Sequence, residues 1–395
     1  YRQLPEIVNE PYDGLPRIYS LARELISHSD LRLDRERILA FLEAYQSTST
    51  LTIGELWALP QMLRTALIES VQNLGERALR DLREGEIAGF WANRLITANR
   101  RDPNQLFSIL ADLAETQANP SPYFGTQLVG HLYDEAAASG LVQSWLERTL
   151  GKSLNDLSLR EQNRQTKDQI SIGNAFTSLR QLALLDWRQI FERLSRVEKL
   201  LRFDPSGVYP GMDFGTRDRY RRAVEELARG CGQSEEDVAQ QVIDMATRAG
   251  HGSAEDERAI HVGTYLIGDG RRQFARHVRC RETPRFRALH WIYRHHSALY
   301  FLGLSFFAAL FISLIVGFGL RGESPGIQLF LTILLLIPTS QLALELLNDL
   351  VTRLLPPRTL PKMDFVASAI PDAFRTLVVV PMMLVDQETI RAEVE

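Results

Sequence analysis

Polar side chains able to do chemistry crowd into one stretch, Met212-Asp213-Phe214-Gly215-Thr216-Arg217-Asp218-Arg219-Tyr220-Arg221-Arg222. Guanidinium forks match phosphate geometry, so Arg217, Arg219 or Arg221 could hold a phosphate or a sugar. The same run also fits a capped helix start laced with ion pairs to neighbouring helices. Arg217 and Arg219 are the candidate substrate-binding residues, and Asp213, Asp218, Tyr220 and Arg221 the candidate conformational or interdomain ones. His261, His290, His295 and His296 lack HExxH-like spacing and have no cysteine partners, so no metal site is expected. Gly268-Asp269-Gly270 is a turn signal, and neither a GxGxxG nor a GxxxxGK[ST] phosphate cradle occurs. No Ser/His/Asp or Cys/His grouping is evident. Trp57, Trp91, Trp145 and Trp187 could offer stacking surfaces to a ligand, or could pack in helix cores as aromatics on apolar faces usually do.

The elements that must position these residues are helical nearly throughout from Leu15 to about Val278, with no internal repeat. Thr52-Ile53-Gly54-Glu55 fits a capping box, Pro60 is placed to restart a helix, and Leu63, Leu67, Val71 and Leu74 recur on one face. Pro103 opens another helix with Leu106, Leu110 and Leu113 inward, while Ser153 with Asp156 and Ser234 with Asp237 supply further caps. A single long helical stretch is expected from about Leu157 through Asp186-Trp187 to Phe203, ended by the turn chemistry of Asp204-Pro205-Ser206-Gly207.

The 395 residues carry 45 Lys plus Arg against 49 Asp plus Glu, a net charge of -4, with mean hydropathy -0.14. Those averages exclude a disordered, collagenous or broadly basic chain, and two cysteines, Cys231 and Cys280, make no disulfide framework. They also conceal one window, Ser297 to Leu344, broken only by Arg321 and Glu323. Ala298 to Leu320 is 23 residues without a charge, longer than a ~30 Å hydrocarbon core requires at ~1.5 Å per residue. Ser324 to Leu344 is a second uncharged run, with Pro338 expected to kink it. Arg271, Arg272, Arg276, Arg279, Arg281, Arg285, Arg287 and Arg294 face only Glu282, a +7 collar that leaves -11 for the rest. With Arg353, Arg358 and Lys362 beyond the second run, the positive-inside rule puts both ends in the cytoplasm. Trp291, Tyr293 and Tyr300 sit where an interfacial aromatic belt would be. Attraction to anionic headgroups explains the collar, so the lipid bilayer is the expected partner and nucleic acid is not.

Past the hairpin the character changes. Leu360-Pro361-Lys362-Met363-Asp364-Phe365 and Ile370-Pro371 read as linker, and Arg375 to Pro381 as a short β-branched strand feeding a helix from Gln387 to Glu395. A strand–helix unit is how a doubly wound α/β domain starts, and one hung from a membrane hairpin fits a nucleotide-sugar glycosyltransferase. The expected organisation is a cytosolic α-helical domain over 1–278, a basic juxtamembrane segment over 279–297, a transmembrane hairpin over 298–350 and the start of a glycosyltransferase domain over 351–395. The chain begins on Tyr1 and stops in a polar helix former, which predicts a piece of a longer protein, and no secretory signal is visible.

Several segments together resemble, in order, the N-terminal region of bacterial cyclic β-1,2-glucan synthases: Leu51-Thr52-Ile53-Gly54-Glu55-Leu56-Trp57-Ala58-Leu59-Pro60, Ser171-Ile172-Gly173-Asn174 with Thr177-Ser178-Leu179-Arg180, Asp204 to Tyr209, Met212 to Phe214, Thr216 to Arg221, and His261 to Ile267. Arg375 to Pro381 is similar to the entry strand of that family's transferase domain. The resemblance implies part of a very large inner-membrane enzyme of Gram-negative bacteria that builds β-1,2-glucan on itself from UDP-glucose, trims it by phosphorolysis and closes it into a ring. It implies UDP-glucose and a divalent metal, Mg or Mn, for the whole enzyme and none for this portion. The general base and acidic metal motif would lie beyond Glu395, so no catalytic residue is carried onto this chain. Val380 with Pro381 is the nearest approach to a nucleotide pocket. Partners implied are the rest of the polypeptide and the growing glucan. A membrane-anchored helical adaptor or sensor, binding a partner through Asp213 to Arg222, is the alternative.

Overall fold

The computed structural model describes residues 4–7, 13–250, 257–280, 291–319, 324–355, 360–366, 369–372 and 375–376, and the chain divides into two compact units, Tyr1–Arg196 and Val197–Glu395. In the first unit the helices are α1 (Arg17–His28), α2 (Arg35–Tyr45), α3 (Ile53–Arg101), α4 (Leu106–Thr116), α5 (Pro122–His131), α6 (Ala136–Leu150), α7 (Leu154–Leu184) and α8 (Trp187–Leu194). The spine is α3, 49 residues opened by the expected capping box: the Thr52 hydroxyl accepts from Glu55 N–H and the Glu55 carboxylate accepts from Thr52 N–H. Glu55 is fully buried because Arg17 of α1 meets both its oxygens, at 2.9 and 2.7 Å, so one carboxylate starts α3 and docks α1 on it. Leu63, Leu67 and Leu74 are buried as the spacing predicted. Further along, Trp91, Ala92 and Leu95 form a core with Leu113, Phe124, Leu128, Val142 and Leu146. Arg164 of α7 pairs with Asp81 of α3 and with Glu161 and Asp168 of its own helix, lacing the two longest helices of the unit together.

Two boundaries differ from expectation. Pro60 starts no helix but lies inside α3. It deprives the Leu56 carbonyl of its helical donor, a cost of about 3 kcal/mol, and burial of Leu56, Leu59, Leu63 and Leu67 around it keeps the helix continuous. The stretch from Leu157 to Phe203 is three helices, because Asp186 caps α8 by accepting from Arg188 N–H and Gln189 N–H. A short acceptor that satisfies free N–H groups this way competes with helix continuation. The Trp187 indole N–H donates to the Leu182 carbonyl, closing the end of α7.

The second unit holds most of α9 (Arg196–Leu201), then α10 (Phe214–Cys231), α11 (Glu235–Gly250), α12 (Val262–Leu266), α13 (Arg271–His277), α14 (His296–Leu314) and α15 (Pro325–Leu354). Gly232 at φ +70° ends α10, a left-handed position that suits glycine. α14 and α15 are long and apolar enough to cross a membrane, over His296–Gly317 and Gly326–Leu354. They run antiparallel: the Tyr300 hydroxyl, near the start of α14, donates to Asn348 Oδ1, near the end of α15, at 2.9 Å. Gly303 lets Leu347 approach so closely that a Cβ there would meet its Cδ1 at 3.1 Å, and Ala343 and Thr339 are buried. Phe301, Phe306, Leu329, Phe330, Ile333 and Ile337 point outward, an apolar exterior suited to lipid. Pro338 lies within α15. The basic segment over 281–290 and the residues 377–395, with Val380, Pro381 and the anticipated strand and helix, lie outside the described residues. Arg375 and Thr376 are described and carry no strand.

Candidate functional site

The Met212–Arg222 constellation is the first two turns of α10. Asp213 is its cap, accepting from Thr216 N–H at 2.9 Å, and Thr216, Arg217, Tyr220, Arg221, Val224, Leu227 and Ala228 are buried at helical spacing. Two polar clusters grow from that face.

The first is centred on Glu198 of α9, which is fully buried. Arg217 donates to Oε1 and Arg221 to Oε2, both at 2.7 Å; the Tyr209 hydroxyl donates to Oε2 at 2.7 Å and Arg202 Nε to Oε1 at 2.9 Å. Burial alone would push the Glu198 carboxyl up. The Arg221 and Arg217 guanidiniums and the Tyr209 hydroxyl outweigh it and hold the group below the usual carboxylate range. Burial and the adjacent Glu198 charge drive the Tyr209 phenol up, so it stays a hydroxyl donor. Arg221, itself buried, stacks 4.7 Å over the Phe214 ring and reaches Asp218, which also accepts from Arg222 at 2.9 Å. Thus the structure brings together Arg217, Asp218 and Arg221, while Arg219 is half-buried beside Tyr220, where its charge bears on the phenol. Arg217, Asp218 and Arg221 are thus ion-paired at a capped helix start.

The second cluster was not evident in the sequence. His261 Nδ1 lies 2.8 Å from Asp204 Oδ2 and 3.1 Å from Ser206 Oγ, and its Nε2 lies 3.1 Å from the Tyr220 hydroxyl. Asp204 is further fixed by Val262 N–H at 3.0 Å and Tyr209 N–H at 3.1 Å. Burial pushes the Asp204 carboxyl up, but His261, Ser206 and the Val262 N–H stabilise the anion more and hold it below its ordinary value. Tyr220 is pushed up to about 12 by burial and by the Asp204 charge. These are serine, histidine and aspartate in contact, yet the order is wrong for nucleophilic catalysis. Asp204 and Ser206 share Nδ1, Ser206 donates to Asp204, and Nε2, which would have to take a serine's proton, is given to Tyr220. With Nδ1–H directed to Asp204, Nε2 is left as the acceptor for Tyr220. The cluster locks the α10, α12 and 204–209 segments together. Gly263 is required by it, since a Cβ there would lie 2.4 Å from the Tyr220 hydroxyl and 2.7 Å from His261 Nε2.

Glu198 did leave a signal: Leu194, Val197 and Leu201 set an apolar face at helical spacing, and Glu198 lies on it. An acid on such a face is buried only if paired. His261, 57 positions beyond Asp204, left none. Each of the four tryptophans has a packing or hydrogen-bond partner within the fold. Trp91 is in the α3 core, Trp145 packs against the same core, Trp57 stacks on Phe191 at 4.7 Å, and Trp187 is tied to Leu182. Among the described residues no group of three or more His, Cys, Asp or Glu could hold a metal ion.

Fold and site together define a helical polypeptide with a membrane-capable hairpin, in which the buried charged residues around α10 are paired with one another. No protein-family model matches the chain. It is similar to the cyclic beta-(1,2)-glucan synthase NdvB of Rhizobium meliloti (strain 1021), with 31% identity over 396 aligned residues, covering 98% of this chain and 14% of that protein. The resemblance carried by the ordered segments is therefore borne out along almost the whole chain. The chain spans about a seventh of the relative's length.

Proposed function

We propose that this chain is the N-terminal portion of an inner-membrane cyclic β-1,2-glucan synthase that polymerises glucose from UDP-glucose, and that it supplies the helical scaffold and membrane hairpin while the remainder of the polypeptide carries the chemistry. The observation that carries this reading is the similarity along 98% of the chain to a protein about seven times as long. Two further features support it. The hairpin has an apolar exterior over both helices. The arginine collar over 271–294 before the first helix, and Arg353, Arg358 and Lys362 after the second, support by the positive-inside rule a cytoplasmic side for both ends, where UDP-glucose is available.

The described residues do not fit a nucleotide-sugar–metal complex. Around α10, Glu198 and Asp218 are engaged by arginines, Asp204 by His261 and Asp213 by the N–H groups of the helix, so these four acids do not converge on a divalent ion. No step of sugar transfer is assigned to them. Their part in this reading is to hold the hairpin and the chain that follows it. The test is made with the full-length polypeptide expressed in membranes of a host lacking β-1,2-glucan. Membrane fractions given UDP-glucose and Mg²⁺ are expected to release cyclic β-1,2-glucan, identified by linkage analysis. No glucan, or glucan of another linkage, would overturn the assignment. Equal synthesis by a polypeptide lacking 1–278 would overturn the scaffold role.

A further inference from the structure

Beyond the hairpin the chain returns to the start of α10. Met363 pairs with Met212 in an antiparallel bridge: Asp213 N–H donates to the Lys362 carbonyl at 2.9 Å, and Asp364 N–H donates to the Gly211 carbonyl at 2.8 Å. Lys362 N–H donates to Thr216 Oγ1 at 3.0 Å. The Met363 methyl group stands 2.9 Å from where a Cβ on Gly211 would be, so the strap is seated against bare backbone.

Two residues serve both the strap and the helix. Asp213 caps α10 with its side chain and holds the Lys362 carbonyl with its own N–H; Thr216 donates its N–H to the cap while its hydroxyl accepts from Lys362 N–H. A helix start that frays therefore loses the strap's seat along with its cap. One residue further on, α10 enters the two buried clusters through Arg217, Tyr220 and Arg221.

We propose that residues 360–364 form a coupling strap: the chain leaving the membrane hairpin seats only on an intact, capped start of α10, so the Glu198 and His261 clusters that hold α10 also set where the chain beyond the hairpin is held. The strap is a short strand addition in which backbone bonds supply the hold, and any extended segment able to align its N–H and C=O groups could in principle fill the edge. Continuity of the chain makes this segment the occupant.

The Lys362–Met363 bond lies in the seat, so its cleavage by trypsin reports the open state. The experiment uses the full-length polypeptide in membranes, with cleavage at that bond followed by mass spectrometry and normalised to the same bond in urea-unfolded protein. Asp364→Pro removes one donor while leaving Met363 extended, and about tenfold faster cleavage than in the natural protein is expected. Asp213→Ala, which keeps the backbone N–H but removes the cap, is expected to speed cleavage similarly, and Asp213→Asn, which preserves a cap, to restore the slow rate. Unchanged cleavage in Asp364→Pro would show that the bridge does not hold the strap. Acceleration in Asp364→Pro with none in Asp213→Ala, or equal acceleration in Asp213→Ala and Asp213→Asn, would overturn the coupling. None of these rates depends on glucan synthesis, so the strap and the enzymatic assignment stand or fall separately.

Discussion

Glu198 is the residue on which the second unit depends most. It is fully buried and accepts from the guanidiniums of Arg202, Arg217 and Arg221, and removing one partner of a buried pair leaves the others uncompensated, at a cost of about 3–5 kcal/mol. Glu198→Gln, nearly isosteric, is expected to lower stability by that order in chemical denaturation, far more than a surface change. The pH response follows from the same groups. Glu198 and Asp204 are both held below their ordinary values in the folded protein. Each therefore adds stability that is fully present above its unfolded pKa, about 4, and is lost as pH falls through the lower folded value. Thermal melting of the second unit should be flat with respect to these carboxyls above about pH 5 and fall steeply below about pH 4, and Glu198→Gln should shallow that fall. Gly263→Ala forces Tyr220 and His261 apart, leaving buried polar groups poorly paired, at a cost of about 1–3 kcal/mol measured the same way. Asp213 and Arg221 stood out in the sequence because they sit in a dense polar run. Their roles did not, because Glu198 lies 23 positions from Arg221 and nothing local says which acid a buried arginine will meet.

At the scale of elements, caps were the most legible feature. Thr52 with Glu55, Ser153 and Ser234 all act as their spacing predicted, since a cap is decided within about four residues. Asp186 was misplaced inside a helix although its type announces a cap, because periodic apolar positions continue across it from α7 into α8. Asp186→Ala should cost about 1 kcal/mol, read by denaturant titration. Pro60 is the reverse case: its local cost favours a helix start, and the packing of Leu56, Leu59, Leu63 and Leu67 outweighs that cost. In the hairpin, Gly303 sets the approach of α14 to α15, and Gly303→Val is expected to loosen the pair, seen as faster exchange of the amides around Leu347.

Across the whole molecule, the two long apolar helices are suited to a bilayer. The full-length polypeptide should stay with membranes through alkaline carbonate extraction, and single cysteines placed at positions 250 and 366 should both be labelled by an impermeant maleimide only after the cytoplasmic side is opened. Labelling of either from the periplasm would overturn the shared orientation. The near-neutral average charge hides this architecture, since an apolar hairpin and a +7 collar sum with an acidic remainder to something unremarkable. Features that depend on neighbours along the chain are legible in the residues alone: helix content, caps, the two long apolar runs and the ordered segments that resemble a glucan synthase. That Glu198, Asp204 and His261 are the hubs around α10, and that the strap after the hairpin returns to Asp213 and Thr216, emerges only in three dimensions. Those contacts join residues as far apart in the chain as Asp213 and Lys362, and a buried charge or an unpaired backbone edge is satisfied by whichever partner the fold delivers, which no local pattern specifies.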